Sequence, residues 1–228
     1  MKLHNTRAIL FAVGLLFSST PFATTFSLGG LLNGGNITVG DKLFDNFSCT
    51  KAGTGTPGAC GDINVNTLDT IDYGIEFQAG FFAAALNTVD FLLQFDVTVL
   101  DPSYLLNDVH LLFNGAVTGD GFANVVETIT NLDAVYGTVN QFLAQIVVNT
   151  TNPPASLSAS ADLAYATKKI HVQKDVLLTG GNNGTSTISF IDQRFSQVQV
   201  PEPSTLLALL AGGLSFFSFQ RTRKTRTL

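Results

Sequence analysis

The stretch VDFLLQFDVTV, residues 89–99, decides the fold of this chain. Its apolar and intervening positions alternate strictly, with Val89, Phe91, Leu93, Phe95, Val97 and Val99 separated by Asp90, Leu92, Gln94, Asp96 and Thr98. Because successive side chains of a strand point to opposite faces, this pattern predicts a β-strand with one strongly apolar face. Such a face must be buried against a second layer, which indicates a layered β domain.

Similar patterns continue along the chain and predict further strands. Residues 71–77 alternate in the same way, and residues 131–144 have mixed apolar spacing with an internal glycine, Gly137, so we interpret them as strand rather than helix. Other predicted strands lie at residues 63–67, 109–113, 123–130, 145–149, 157–165, 170–178 and 187–192.

Turn signals separate these strands. Asp120-Gly121 and Asn183-Gly184 predict tight hairpins of type I′, in which both central residues take positive φ. Asp101-Pro102 and residues 152–154, Asn-Pro-Pro, break the chain between strands. Short strands with turns about every ten residues predict an all-β antiparallel sandwich or jelly-roll-like domain.

The N-terminus has the organisation of a secretory signal. Lys2 and Arg7 precede ten apolar residues, AILFAVGLLF at 8–17, and small residues follow up to Ala23. A helix of ten residues reaches about 15 Å, half the thickness of a bilayer's hydrocarbon core. We therefore predict a cleaved signal over residues 1–23; a buried N-terminal helix is the alternative.

The predicted exported domain, residues 24–200, is 177 residues long, enough to bury a core of its own. It keeps six basic and sixteen acidic residues, a net charge of −10. This charge disfavours nucleic acid and anionic surfaces as partners.

Cys49 and Cys60 are the two cysteines of the chain, and they enclose the segment TKAGTGTPGA. An exported chain enters an oxidising compartment, so this pair predicts a disulfide. A metal site is the alternative, although the pair lacks CxxC spacing and a nearby histidine.

Residues that could carry chemistry are few. His110 and His171 are the histidines of the predicted domain, and each lies within a strand pattern, where an exposed strand face explains it. The chain has no GxSxG, HExxH or P-loop motif. No carboxylate pair is marked by position as a glycosidase site. We therefore predict no catalytic residues, no cofactor and no enzymatic activity.

Asp62, Asn64 and Asn66 resemble the first ligands of a calcium loop, because oxygen ligands alternate there. Thr67 stands where such a loop has glycine, and Tyr73 where it has glutamate, so we interpret the residues as the polar face of a strand and predict no metal. A calcium site assembled from separate loops of the acidic sandwich is the alternative. The chain has no tryptophan for a sugar platform. Most phenylalanines fall on apolar strand faces, where we expect core packing: Phe91, Phe95, Phe113 and Phe190. Phe81, Phe82 and Tyr104 lie near strand ends, where we expect exposure.

The chain ends in VPEPSTLLALLAGGLSFFSFQRTRKTRTL, residues 200–228. Residues 206–219 form an apolar run whose helix would be about 21 Å long, short for a membrane span. Four basic residues follow, which places the tail on the cytoplasmic side and the domain outside (Arg221, Arg223, Lys224, Arg226). A permanent C-terminal anchor is the alternative to a sorting signal that is cut.

The order of a Pro-Glu-Pro triplet, an apolar helix with a Gly-Gly pair and a basic cluster resembles the PEP-CTERM sorting signal. The resemblance implies that residues 201–228 are the sorting segment and that Pro201, Glu202 and Pro203 are its recognition motif. It also implies export in a Gram-negative bacterium, a transient stay in the inner membrane through a transmembrane helix, and processing by an exosortase as partner.

The domain itself resembles a β-rich group of PEP-CTERM proteins in segments 37–49, 74–78, 96–115, 121–129, 172–178 and 186–197. The resemblance implies an exported sandwich and supplies no activity. We predict a non-enzymatic cell-surface or extracellular-matrix protein. The alternatives are a carbohydrate-binding module that retains exopolysaccharide and a polysaccharide hydrolase or lyase.

Overall fold

The computed structural model describes residues 23–70, 72–151 and 156–200. The predicted secretory signal up to residue 22, the predicted chain break at residues 152–154 and the sorting segment at residues 201–228 lie outside the described residues. Among the residues that are described, no helix has the length and apolar character to cross a membrane.

Within these residues the chain forms twelve strands and two short helical turns. The helical turns are α1, Leu28–Leu31, and a 3₁₀ turn, Cys60–Asp62. The strands are β1 Thr25–Ser27, β2 Ile37–Val39, β3 Lys42–Gly53, β4 Asn64–Leu68, β5 Gly74–Ala83, β6 Thr88–Val99, β7 Tyr104–Thr118, β8 Phe122–Asn131, β9 Phe142–Thr150, β10 Ser158–Thr167, β11 Lys169–Thr179 and β12 Thr185–Gln199.

The strands form two six-stranded sheets in the described part of the chain. Sheet A has the order β1-β4-β5-β12-β7-β10, and sheet B has the order β2-β3-β6-β11-β8-β9. Every strand pair is antiparallel. The predicted all-β antiparallel sandwich is therefore confirmed.

The core lies between the two sheets and follows the alternation read from residues 89–99. Phe91, Phe95 and Val97 of β6 are fully buried, and Phe95 packs against Phe44 and Phe77 with ring centroids 6.2 and 5.7 Å away. Burying one such side chain contributes roughly 1.5–3 kcal/mol. Strand β6 pairs with β3 on one side and β11 on the other, so it is an interior strand of sheet B rather than an edge strand.

The predicted hairpins at Asp120-Gly121 and Asn183-Gly184 are wrong, although turns lie at both positions. The first turn joins β7 of sheet A to β8 of sheet B, and the second joins β11 of sheet B to β12 of sheet A. Positive φ falls on Gly119 and Gly181, at 56° and 60°, rather than on the predicted dipeptides. These turns cross between sheets because each pair of flanking strands finds its hydrogen-bonding partners elsewhere.

The interpretation of residues 131–144 as a continuous strand is also wrong. Strand β9 begins only at Phe142, and residues 132–141 form a loop. The buried side chain of Asn131 organises this loop, because its Nδ2 donates to the carbonyl oxygens of Asp133 (2.7 Å) and Thr138 (3.1 Å). A side-chain amide that bonds nearby backbone competes with a β ladder.

Strand β3 was not predicted from alternation. A bulge between Asp45 and Ser48 interrupts its register with β6, and Asn46 takes a positive φ of 53°. As a result Phe44 and Phe47, three positions apart, are both buried. A bulge inserts an extra residue and so breaks the period of two on which the prediction relied.

Candidate functional site

The sorting motif follows the sandwich without a spacer. Strand β12 ends at Gln199, and the backbone nitrogen of Val200 donates to the carbonyl oxygen of Ser103 at 2.7 Å. Pro201, Glu202 and Pro203, predicted as the recognition motif, lie outside the described residues and come directly after this anchored residue. The sandwich therefore ends at a defined point of its surface, next to the segment that begins the tail.

The disulfide predicted between Cys49 and Cys60 is present, with the two Cα atoms 6.0 Å apart. It joins β3 of sheet B to the 3₁₀ turn that precedes β4 of sheet A. The enclosed loop also pairs with β5, because the backbones of Thr56 and Phe82 exchange hydrogen bonds of 2.9 and 3.0 Å. The cross-link thus ties the two sheets together at this edge.

His110 lies on the outer face of sheet A, as the exposed-strand interpretation expects. Its Nε2 lies 3.0 Å from Ser196 Oγ and also 3.0 Å from Asp108 Oδ1. A nucleophilic triad needs the serine on one ring nitrogen and the carboxylate on the other. Here one nitrogen faces both groups, so the three side chains do not have the arrangement of a triad.

His171 lies on the outer face of sheet B, in contact with a carboxylate. Its Nδ1 is 2.8 Å from Asp96 Oδ1, while Asn46 Nδ2 donates to Asp96 Oδ2 at 2.8 Å. Burial acts to raise the pKa of Asp96, but the hydrogen bonds from His171 and Asn46 and the charge of Lys169 hold this pKa below its ordinary value. His110 and His171 therefore lie on opposite sheets, and the structure does not bring them together.

The residues that resemble a calcium loop are divided between two elements. Asp62 lies in the 3₁₀ turn, where its Oδ2 accepts a hydrogen bond from the backbone nitrogen of Ala59 at 3.0 Å. Asn66 lies on the outer face of β4 and donates to Glu76 Oε1 at 2.7 Å. In the described part of the chain, no three His, Cys, Asp or Glu side chains cluster in a way that could hold a metal ion.

The predicted aromatic positions agree with expectation in part, since Phe91, Phe95 and Phe113 are buried as predicted. Phe81 is buried and Tyr104 packs partly buried against the core, whereas Phe82 is exposed. Phe190, expected on an apolar face, is outside the fully buried core, because a register shift in β12 between Ile188 and Phe190 moves it off the inward positions.

A cleft of about 400 Å³ lies on the outer face of sheet A, across strands β10, β7 and β12, and we call it the sheet A cleft. Its side chains are mainly polar, with one exposed leucine among them; the outward-facing members are His110, Leu112, Ser158, Ser160, Asp192 and Arg194. Sequence reasoning missed this site. Strand order decides it, since β10, β7 and β12 are neighbours in space but not in the chain.

A pair of carboxyl groups borders the sheet A cleft. Asp192 and Glu76 are direct cross-strand partners on β12 and β5. Partial burial, and then the charge of Glu76, raise the pKa of Asp192 to about 6, although Arg194, whose Nη2 is 3.7 Å from Asp192 Oδ2, acts to lower it. The cleft therefore combines hydroxyl groups, a guanidinium and a carboxyl that takes up a proton under mildly acidic conditions.

The PEP-CTERM protein-sorting motif matches this chain over residues 199–224. The recognition made from the Pro-Glu-Pro triplet, the apolar run and the basic tail is therefore confirmed: the chain carries this motif. No curated protein matches the chain.

Two solved structures show a distant likeness to the fold. One is a carbohydrate-binding module, TmCBM61, solved in complex with β-1,4-galactotriose; it is 14% identical over 64% of this chain and 88% of its own, with a TM-score of 0.34. The other is the enzymatically active domain of tailspike protein 4 of bacteriophage CBA120, 12% identical over 66% of this chain and 19% of its own, with a TM-score of 0.28. At these TM-scores neither structure carries an argument about this protein.

Proposed function

We propose that this protein is an exported, non-enzymatic cell-surface or extracellular-matrix protein whose tail is held transiently in the inner membrane and processed by an exosortase of a Gram-negative bacterium. The sorting motif at residues 199–224 carries this proposal. Its position supports it, because the motif begins where β12 ends and leaves the sandwich whole on its N-terminal side. The disulfide between Cys49 and Cys60 fits an oxidising compartment.

Replacing Pro201-Glu202-Pro203 by three alanines tests the sorting proposal. The variant should accumulate in the inner membrane with its tail attached, because the processing enzyme no longer recognises it, while wild-type protein loses the tail. Intact mass and membrane fractionation measure both outcomes. The matched control replaces Ser204 and Thr205, directly after the triplet, by alanine and should be processed normally. Equal mass and location for wild type and the triplet variant would contradict the proposal.

The geometry around His110 supports the non-enzymatic part of the proposal. The ring nitrogen that contacts Ser196 Oγ also contacts Asp108, so this carboxylate does not orient the ring from its other side. Asp192 and Glu76 are direct cross-strand partners, and their side chains are close enough for a mutual hydrogen bond that raises the pKa of Asp192. The two carboxylates of a glycosidase stand at least about 5 Å apart to hold a sugar between them, so this pair does not have the glycosidase arrangement.

Polysaccharide binding is a second candidate function, favoured by the sheet A cleft. Its volume of about 400 Å³ falls within the roughly 300–1,000 Å³ of ligand sites. Ser158, Ser160 and His110 present hydrogen-bonding groups around the exposed side chain of Leu112, a combination that suits the hydroxyl groups and apolar ring face of a sugar. The net charge of −10 over residues 24–200 favours a neutral polysaccharide over a polyanion.

Glycan binding by a His110→Ala variant tests this second candidate. Binding of a neutral polysaccharide should weaken about tenfold, the equivalent of roughly 1.4 kcal/mol, because one hydrogen-bonding side chain of the cleft is lost. His171→Ala is the matched control, since His171 lies on the opposite sheet, and it should bind as wild type does. No binding on a glycan array, or equal losses in both variants, would contradict the assignment of the cleft.

A further inference from the structure

Three polar side chains meet in the apolar core between the two sheets, and we call them the core triad. Lys174 of β11 and Glu127 of β8 are cross-strand partners in sheet B, and Gln193 of β12 faces them from sheet A. Each is completely buried. Lys174 Nζ donates to Glu127 Oε2 and to the side-chain oxygen of Gln193, so its nitrogen touches both partners.

The sequence contains a signal for the core triad. Each member occupies an inward position of an alternating strand: Lys174 lies between Val172 and Val176, and Glu127 between Val125 and Ile129. These four neighbours are all fully buried, and Gln193 is likewise placed between Ile191 and Phe195. Burying polar groups at such positions costs free energy, because the apolar interior does not replace the hydrogen bonds that these groups make with water. Neither the sorting motif nor the sheet A cleft uses them.

Burial shifts the two ionisable members towards their uncharged forms. Burial lowers the pKa of Lys174, although the neighbouring carboxylate acts to raise it. Burial likewise raises the pKa of Glu127 despite the ammonium beside it. Glu127 Oε1 is buried without a hydrogen-bond partner. An unprotonated amine is a nucleophile, and a protonated carboxyl next to it is a general acid.

We propose that the core triad forms an intramolecular isopeptide bond between Lys174 Nζ and the side-chain carbonyl carbon of Gln193, with Glu127 as the acid and base of the reaction. Contact of Nζ with the Gln193 carbonyl oxygen places the nucleophile beside the electrophilic carbon. Glu127 touches the same nitrogen and is therefore in position to exchange its protons. The proposal is independent of the sorting and polysaccharide-binding functions.

The reaction balances without an oxidant, a reductant or a further reactant. The Nζ lone pair forms the new C–N bond to Gln193 Cδ, and the C–Nε2 bond of the carboxamide breaks. Glu127 gives its proton to the departing nitrogen, which leaves as ammonia, and takes one proton from Nζ. Amine plus primary amide thus becomes a secondary amide plus ammonia, and Glu127 ends in its starting form.

The product suits the core better than the reactants. A secondary amide carries no charge, whereas the free amine of Lys174 can still take up a proton and form a buried ammonium, which is costly. The N–H of this amide can still donate a hydrogen bond to Glu127 Oε2. The bond also joins β11 of sheet B to β12 of sheet A, a second covalent link between the sheets in addition to the disulfide.

Peptide mapping of the purified full-length chain, with its disulfide reduced, tests the proposal. Trypsin cuts an unmodified chain after Lys174 and produces separate peptides 170–174 and 175–194. The cross-linked chain should resist this cut and give one peptide, 170–194, that lacks one ammonia. Chymotrypsin then cuts inside this peptide, after Phe190 among other sites, and the fragments that carry Lys174 and Gln193 should remain joined.

Three results of the wild-type map would overturn the proposal. Normal cleavage after Lys174 shows that no bond to its nitrogen formed. Ammonia loss at Asn183-Gly184 with that normal cleavage identifies a succinimide instead. Loss of one water, with residue 127 joined to Lys174, identifies a bond to Glu127 in place of Gln193.

Variants separate the roles of the core triad. The variants Lys174→Met and Gln193→Leu each lack one partner of the bond. Each should therefore have the mass calculated from its sequence, without the loss of ammonia. Glu127→Gln should leave Lys174 and Gln193 uncross-linked while both are still present, because its side chain cannot exchange protons as a carboxyl does. Cross-linking of Glu127→Gln to the wild-type extent would refute the role of Glu127. The wild-type map decides the proposal even where a variant fails to fold.

Discussion

Asp192 shows how neighbouring residues change the ionisation of a single side chain. Its pKa rises from 3.8 to about 6, first because the side chain is partly buried and then because Glu76 lies opposite it. The folded protein therefore holds a proton on this carboxyl more tightly than the unfolded chain does. Between about pH 4 and pH 6 the folded state binds more protons, so the free energy of unfolding falls as the pH rises.

An Asp192→Asn variant should remove this dependence. Relative to wild type, its free energy of unfolding should be about 1 kcal/mol higher at pH 7, a value discounted for solvent screening, and the difference should vanish near pH 4. Urea denaturation across this pH range measures it. Glu76→Gln removes the neighbouring charge, so its free energy of unfolding should also depend less on pH than that of wild type. Parallel stability profiles for wild type and Asp192→Asn would contradict the assignment.

At the scale of elements, the two crossover turns support each other. The carboxylate of Asp120, between β7 and β8, accepts hydrogen bonds from the backbone nitrogens of Asn182 and Asn183 at 2.8 and 2.7 Å. These bonds hold the pKa of Asp120 below its ordinary value. Both turns pass from one sheet to the other, so this contact links the two crossovers at one end of the sandwich.

Gly119→Ala should destabilise the protein by about 1–3 kcal/mol through this turn. Gly119 has a φ of +56°, and a Cβ there would lie 2.2 Å from the carbonyl oxygen of Asn183, so the backbone must move. Thermal or urea denaturation measures the loss. Gly80→Ala is the matched control: a Cβ there meets no heavy atom within 4 Å, and stability should change by less than about 0.5 kcal/mol. Equal effects of the two substitutions would refute the argument.

Elements differ in how well the sequence predicts them. Strand β6 was predicted correctly because its alternation is unbroken over residues 89–99, and β11 was predicted for the same reason. Strand β3 was missed because its bulge breaks the period, and residues 132–141 were misassigned because Asn131 bonds the backbone of the loop. Local pattern is informative where the ladder is regular and fails where an insertion or a side chain interrupts it.

At the scale of the whole molecule, two covalent links join the sheets in different ways. The disulfide between Cys49 and Cys60 ties them at an edge, and the proposed bond between Lys174 and Gln193 would tie them in the core. A sandwich closed at both places would resist separation of its two sheets. The sorting motif follows β12 directly, and Val200, which is hydrogen-bonded to Ser103, is the last described residue of the sandwich before the Pro-Glu-Pro triplet.

The sequence by itself determined the all-β class, the cysteine pair and the sorting motif, because alternation, spacing and order along the chain are local properties. Only the tertiary structure decided which strands became neighbours, and therefore which side chains met. The sheet A cleft and the pair of Asp192 with Glu76 join residues from strands far apart in the chain, and the core triad brings Glu127 of β8 to two residues of the consecutive strands β11 and β12. Turn residues indicated where the chain reverses, but the choice between a hairpin and a crossover depended on which partner strand each backbone ladder found.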